Sequence, residues 1–278
     1  HVGNYPGVTV ESKSGEFKLG DIDIELVDLP GVYSLSSSSP EEDVVFKEIT
    51  KPGIDLILNV VDSTIPRRSL YLTTQLAELH IPMLLVFNMT DDAEKEGKLI
   101  DAESLSEIFG VPVIKTVATE GKNLDAVAEA IVKGDIPNAK SITLLDEHIK
   151  AAKELILEEA GISAGEALFA LEGVCLSTIP EEVVDTAEAL GEEIEKLHAM
   201  SPLQIVRENR HYTASEIAKK VISDAPKKKR RDFDSLLTRS FPGIPILIFT
   251  LLAILLIVFK VGGFLEETIV TLMTTYVE

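Results

Sequence analysis

An aspartate and a glycine three residues apart, Asp28-Leu29-Pro30-Gly31, end the alternating run Asp21-Ile22-Asp23-Ile24-Glu25-Leu26-Val27. A strand that empties into Asp-x-x-Gly can hold a carboxylate near a hydrated Mg²⁺ and bring a glycine amide against a terminal phosphate. Alone, the tetrapeptide reads more readily as an ordinary strand-end turn. Two more motifs share the chain with it: Thr9 lies 19 residues upstream, and Asn88-Met89-Thr90-Asp91 begins 60 downstream. The Asp91 carboxylate can accept hydrogen bonds from N1–H and N2–H of guanine, a donor pair that adenine lacks. A base without those donors leaves the carboxylate unpaired, at a cost of roughly a few kcal/mol. Asn88 would brace the loop and touch the base, while Thr116-Val117-Ala118 would offer a backbone amide to guanine O6. The plainer alternative is that Asn88 and Asp91 cap the following turn.

Those residues need elements to position them. Gly3-Asn4-Tyr5-Pro6-Gly7-Val8-Thr9-Val10-Glu11 reads as a loop entering a strand. There the Thr9 hydroxyl could ligate Mg²⁺ while its amide senses a γ-phosphate, or Thr9 could merely start the strand. Strands are expected at 13–19 and 21–28, joined near Gly20-Asp21. Ser39-Pro40-Glu41-Glu42 has the form of an N-cap, a first-turn proline and first-turn acids, so a helix should run to about Thr50. The serines at 36–39 before it would form a mobile segment. Residues 54–62 are a nearly continuous apolar run ending in Asp62, the profile of a strand buried on both faces. A helix at 66–79, a buried strand at 83–87 ending at Asn88, a short helix at 101–109, a strand at 111–114 and a helix at 124–133 continue the alternation. The fold class is α/β, a doubly wound sheet with its ligand at the strand C-termini.

The chain has 278 residues and a net charge of −20, distributed unevenly. Residues 1–226 carry 19 basic and 41 acidic groups, and residues 227–278 carry 7 and 5. An acidic body of this kind argues against nucleic acid as the partner. The single cysteine, Cys175, rules out an internal disulfide framework, fits a reducing compartment and reads as a core residue. Residues 141–223 are rich in Ala, Glu, Leu and Lys with no strand-like run. Helices are expected there at 142–160, 164–173, 180–198 and 203–222, divided by Gly161, Gly173 and Pro202. His148, His198 and His211 show no i, i+4 pairing and read as surface or satisfied histidines. Lys227-Lys228-Lys229-Arg230-Arg231 then precedes 19 uncharged residues, 241–259. At 1.5 Å per residue this stretch spans about 28 Å, close to a bilayer core, and the basic run sets the preceding domains on the cytoplasmic side. After Gly263 the chain should emerge, with Glu266-Glu267 opening an amphipathic segment.

The order of motifs resembles that of P-loop GTPases, and the whole chain resembles the N-terminal part of FeoB-type ferrous iron transporters. The residues that carry the second resemblance are 3–11, Asp28-Leu29-Pro30-Gly31-Val32-Tyr33-Ser34-Leu35, and Asn88-Met89-Thr90-Asp91, with Met89 where most GTPases have lysine. It implies a GTPase domain over 1–138, a helical GDI-like domain over 139–226, then a basic linker, a transmembrane helix at about 241–261 and the start of an extracytoplasmic segment. It implies Thr9 and Gly31 as catalytic residues and Thr9 and Asp28 as Mg²⁺ ligands. The nucleotide would lie along Gly7, Val8, Thr9, Asp28, Leu29, Pro30, Gly31, Asn88, Met89, Asp91, Thr116, Val117 and Ala118, with Val117 in place of the more usual serine. GTP or GDP, Mg²⁺ and K⁺ are the implied cofactors, and Fe²⁺ the transported ion. The implied partners are the lipid bilayer, the remaining membrane domain, a second copy of the chain and small accessory Feo proteins. The glycine-rich phosphate loop with its lysine, expected some two dozen residues before Thr9, occurs nowhere in the 278 residues. The sheet should then lack its first strand, and the chain as it stands should hold phosphate poorly and hydrolyse no GTP. A membrane-tethered regulatory GTPase without transport, or a nucleotide-binding scaffold that has lost its phosphate loop, remain as alternatives.

Overall fold

The computed structural model describes residues 13–36, 39–160, 162–174, 179–224 and 240–277. The chain divides into two compact units, His1–Lys227 and Lys228–Glu278.

The first unit opens with the expected hairpin. Strands β1 (Lys13–Leu19) and β2 (Ile22–Asp28) pair antiparallel from Lys13↔Asp28 to Leu19↔Ile22. Gly20 turns the corner at φ +62°, a left-handed conformation that a side chain would strain. Helix α1 (Pro40–Ile49) starts where the sequence places it, its Ser39 hydroxyl accepting the Glu42 N–H at 3.3 Å. Three parallel strands, β3 (Ile57–Asp62), β4 (Met83–Asn88) and β6 (Val113–Lys115), form the central sheet in the order β3-β4-β6. The hairpin forms a separate sheet. Between the parallel strands run α2 (Pro66–Glu78), α3 (Thr90–Lys95), β5 (Lys98–Ile100) and α4 (Ala102–Phe109), and α5 (Leu124–Lys133) follows β6. Met83, Leu84, Leu85 and Phe87 of β4 are fully buried, as an unbroken apolar run flanked by strands on both sides must be. Strand β6 begins two residues later than expected. Pro112 has no N–H to donate, and only its carbonyl joins β4, accepting the Leu85 N–H at 3.1 Å.

Four helices follow: α6 (Glu147–Ala160), α7 (Ala164–Glu172), α8 (Glu181–His198) and α9 (Pro202–Val221). Capping boxes set two starts, Ser163 with Glu166 and Ser201 with Gln204. Helix α6 begins five residues later than the sequence suggests. The chain ahead of it is held against α9, with Leu144 N–H bonded to Thr213 Oγ1 at 3.0 Å and Asp146 N–H to Asn209 Oδ1 at 2.7 Å. The expectation of no strand in 141–223 fails at its end. Residues Ile222–Asp224 form β7 and pair antiparallel with β5. Three residues carry no periodic signal of their own, and the ladder exists only because the fold returns them to a distant partner.

One apolar core runs through both the sheet and the helices. Phe46 of α1 meets Phe169 of α7 edge to face at 5.0 Å. A β-carbon on Gly165 of α7 would fall 2.6 Å from the Glu78 carbonyl oxygen at the end of α2, so glycine is what lets these helices touch. Beside that contact lies a buried charge cluster. Arg210 of α9 bonds Glu78 through Nε at 3.2 Å and Nη2 at 2.8 Å, and its Nη1 contacts the Glu172 carboxylate. All three side chains are at most 3% exposed.

Two carboxylates share one guanidinium, and Glu78, which also accepts the Thr143 hydroxyl, holds its better hydrogen bonds. Burial therefore dominates at Glu172 and pushes its carboxyl from 4.5 up to about 7, against the pull of Arg210. The folded state then keeps a proton that the unfolded chain loses near pH 4.5. Stability should fall as pH rises from about 4.5 to about 7 and level off above that window. A shift of this size corresponds to on the order of 3 kcal/mol. Glu172→Gln, neutral throughout, should flatten the profile and be more stable than the parent at pH 8. Urea unfolding at pH 5 and pH 8 reads this directly, and an equal pH slope in parent and variant would clear Glu172 of the role.

In the second unit, helix α10 (Ser240–Val277) is continuous apart from non-helical backbone at Phe241. Its segment Ser240–Gly263 is long and apolar enough to cross a membrane, 24 residues or about 36 Å. The Thr250 hydroxyl folds back onto the Ile246 and Leu247 carbonyls at 3.0 and 2.8 Å, which suits an apolar surround. The apolar segment ends at Gly263, where the sequence reading ends the span, but the helix itself does not. The helix continues to Val277, since Gly262-Gly263 costs it only about 1 kcal/mol per residue and breaks no backbone hydrogen bond.

Candidate functional site

The C-terminal ends of β4 and β6 are stitched together by a few side chains. Asn88 closes β4, and its Oδ1 accepts both the Ala118 N–H at 3.0 Å and the Thr116 hydroxyl at 3.2 Å. Thr90 Oγ1 donates to the Thr116 carbonyl at 3.1 Å, and the Thr116 N–H donates to the Phe87 carbonyl at 2.8 Å. Met89 between them sits at φ +58°, a left-handed turn that starts α3 immediately after the strand. Val117 is 3% exposed and pairs its backbone with Lys122. The serine more usual there would surrender that buried contact.

Asp91 lies in the first turn of α3 with its side chain 28% exposed. Lys95, one turn on, bonds it and also bonds Asp92 Oδ1 at 2.6 Å. The Lys95 hydrogen bond holds the Asp91 carboxyl below the usual carboxylate range, so it is an anion with acceptors facing outward. Asn88, Thr116 and Ala118 are thus brought together, and Asp91 lies one turn into the helix that follows Asn88. Of the loop expected to offer a backbone amide to guanine O6, the Ala118 N–H is engaged by Asn88.

The Asp28-Leu29-Pro30-Gly31 turn follows β2. Leu29 and Val32 pack against the core while Asp28 and Gly31 are exposed. The Asp28 side chain makes no hydrogen bond or ion pair among the described residues. The backbone here does not demand glycine: Gly31 is outside the left-handed region, and a β-carbon on it would meet nothing within 4 Å. No hydrogen bond joins this turn to the Asn88 loop among the described residues. Gly7, Val8 and Thr9 lie outside the described residues.

The segment expected to be mobile is anchored on both sides. Tyr33 lies under the Arg68 guanidinium at 3.6 Å, Leu35 N–H bonds Gln75 Oε1 at 2.9 Å, and Ser34 and Ser36 both bond Glu42. Residues 37–38 are outside the described residues.

Two histidines read as unpaired in sequence are in fact paired in space. His148 and His198, 50 residues apart, approach within 3.0 Å beside Asp146. Spacing within one helix could not reveal a pair formed between two. His211 stacks on Tyr71 at 4.2 Å, and burial lowers its imidazole pKa.

A parallel sheet with an Asn-x-x-Asp loop and a Thr-x-Ala loop joined at its strand ends defines a P-loop GTPase-like domain. A family model described as "Ferrous iron transport protein B" matches residues 1–131. The Fe(2+) transporter FeoB of Salmonella choleraesuis is 32% identical over 286 residues, covering 95% of this chain and 36% of that protein. The chain thus spans about a third of the length of that relative. Among solved structures, the cytosolic domain of L. pneumophila FeoB superposes with a TM-score of 0.67 at 31% identity, covering 81% of this chain and 90% of that one. The mGMPPNP-bound NFeoB from S. thermophilus gives 0.66 at 32% identity, covering 84% and 90%. The chain belongs to the FeoB family.

Proposed function

We propose that the chain is the nucleotide-switching cytoplasmic part of a membrane Fe²⁺ uptake transporter, in which the state of a bound guanine nucleotide gates transport. The observation that carries this reading is Asn88 Oδ1, which clamps the β6 loop to the end of β4, three residues before Asp91. Guanine N1–H and N2–H would displace Lys95 from Asp91, and Asn88 would release the Ala118 N–H to guanine O6. Met89, Thr116 and Val117 shape the slot around the base.

Toward the phosphates, the unpartnered Asp28 carboxylate fits a hydrated Mg²⁺, with Thr9 as the second ligand. When bound, that ion supplies charge neutralisation on the phosphate oxygens. Gly31, whose backbone conformation needs no glycine, gives room for its N–H to reach the γ-phosphate, with Leu29 and Pro30 fixing the turn. Gly7 and Val8 lead into Thr9. Val32 follows Gly31 and packs on the core, so no side chain there orients water. Backbone groups and an added cation such as K⁺ must do that, and slow hydrolysis suits a switch better than a motor.

In this reading residues 1–138 are the GTPase part, 139–226 couple nucleotide state onward, and 227–278 carry the linker and first span of a multi-pass protein of the cytoplasmic membrane. The lipid bilayer, the rest of the membrane domain, a second copy and small accessory Feo proteins are its partners. The test uses iron-starved cells whose ferrous transporter contains this chain. Thr9→Ala should lower both GTP hydrolysis and uptake of radiolabelled Fe²⁺ while leaving GDP affinity unchanged, because Thr9 meets only the γ-phosphate. Hydrolysis equal to the parent would remove Thr9 from the switch. Reduced hydrolysis with full uptake would instead make the chain a tethered regulatory GTPase.

A further inference from the structure

The helical part carries a second cluster with the donor set of a metal site. Asp146 precedes α6, His148 lies in its first turn, and His198 is the last residue of α8. His148 Nδ1 and His198 Nε2 are 3.0 Å apart, and Asp146 Oδ1 is 3.6 Å from the first and 3.7 Å from the second. Donors bound at about 2.0–2.2 Å to one ion stand roughly 3.0–3.5 Å apart, so this triangle needs almost no adjustment to close on a cation.

The three donors are also held in place. Asp146 accepts the His148 N–H on Oδ1 at 2.9 Å and the Lys150 N–H on its carbonyl at 2.9 Å, and it donates its own N–H to Asn209. The imidazoles meet edge to face, with ring centres 4.9 Å apart. His198 is 24% exposed and His148 56%, which leaves one side open for water to complete the coordination shell. Without an ion the rings share one N–H···N hydrogen bond, and Asp146 Oδ1, at 3.6 and 3.7 Å, bonds neither ring. The strongly acidic body adds a field that draws cations.

We propose that Asp146, His148 and His198 bind a divalent first-row transition cation that cross-links the start of α6 to the end of α8. Two imidazoles and a carboxylate select Zn²⁺, Co²⁺ or Fe²⁺ over Mg²⁺ or Ca²⁺, which favour all-oxygen shells. The site is separate from the nucleotide loops, and Mg²⁺ bound there should not compete for it.

The test is titration of the 278-residue chain in detergent with Co²⁺, followed by visible absorption, and with Zn²⁺, followed by thermal melting, in the presence of excess Mg²⁺. One equivalent of Co²⁺ should give a saturable d–d band, and Zn²⁺ should raise the melting temperature. His148→Ala and His198→Ala should each weaken Co²⁺ binding at least tenfold and lose the Zn²⁺ shift. Asp146→Asn, which keeps an acceptor for the His148 N–H, should weaken binding while melting like the parent in chelator. Chelator-treated parent and variants are compared by circular dichroism, so a variant that fails to fold is recognised and the remaining two decide. The absence of a saturable band, or binding unchanged in both histidine variants, would overturn the proposal.

Discussion

Asp91→Ala is expected to abolish the preference of a FeoB protein containing this chain for GDP over ADP, a loss of about 100-fold or more. The Asp91 carboxylate, in the first turn of α3, is already an anion, held so by Lys95 at the end of that helix, and its side chain is part-exposed. Guanine can replace the lysine contact with two N–H donors, and each charge-assisted bond is worth about 1.5–3 kcal/mol. Adenine offers a C2–H where the second donor would be, so it must leave the anion with Lys95 alone. Alanine removes the acceptor and with it the discrimination, while Lys95 retains Asp92 and α3 keeps its capping charge. Asp91→Asn sharpens the test. Its amide N–H₂ can meet a 2-oxo group, so the variant should favour xanthine diphosphate over GDP. Titration calorimetry with GDP, ADP and xanthine diphosphate measures all three. Equal affinity of the parent for GDP and ADP would end the guanine assignment and leave Asn88 and Asp91 as caps of a turn.

The loop that follows β4 was readable because each signal there is local. Asn88 and Asp91 follow an uninterrupted apolar strand, and a strand of that kind has to end where its first polar side chain meets solvent. The helix at Pro40 was legible for a similar reason: its start is written in Ser39, Pro40, Glu41 and Glu42. What was not legible depends on partners far away in sequence. The β5–β7 pair unites three residues of the nucleotide half with three at the end of α9. The Asp146, His148 and His198 cluster needs α6 and α8 to meet. The engagement of the Ala118 amide by Asn88 was missed because a hydrogen bond between two loops has no periodicity. Gly31 is the converse: a strand-end turn was one reading of it, yet its backbone needs no glycine and a β-carbon there would meet nothing within 4 Å.

Arg210→Ala is expected to destabilise the first unit by about 3–5 kcal/mol, because it breaks a fully buried ion-pair cluster from its centre. Arg210 reaches from α9 to Glu78 at the end of α2 and to Glu172 at the end of α7, all out of contact with water. Removing it strands two buried carboxyls. Neither can ionise cheaply, and protonating both below neutral pH still leaves oxygens without donors. The loss should therefore be larger at pH 8 than at pH 5. The same contact joins α2, which lies between the two strands β3 and β4 in the chain, to the helices that follow. Nucleotide-dependent protection of α7 and α9 in hydrogen exchange should fade along with stability. Charge and packing can be separated by neutralising the whole cluster. Arg210→Met combined with Glu78→Gln and Glu172→Gln should recover most of the lost stability, because no buried charge is left unpaired. Yet if Arg210 acts as the coupling element, that triple variant should not recover nucleotide-dependent protection. Urea unfolding that finds the triple variant as unstable as Arg210→Ala would assign the loss to shape alone, and full recovery of the exchange response would remove Arg210 from the coupling.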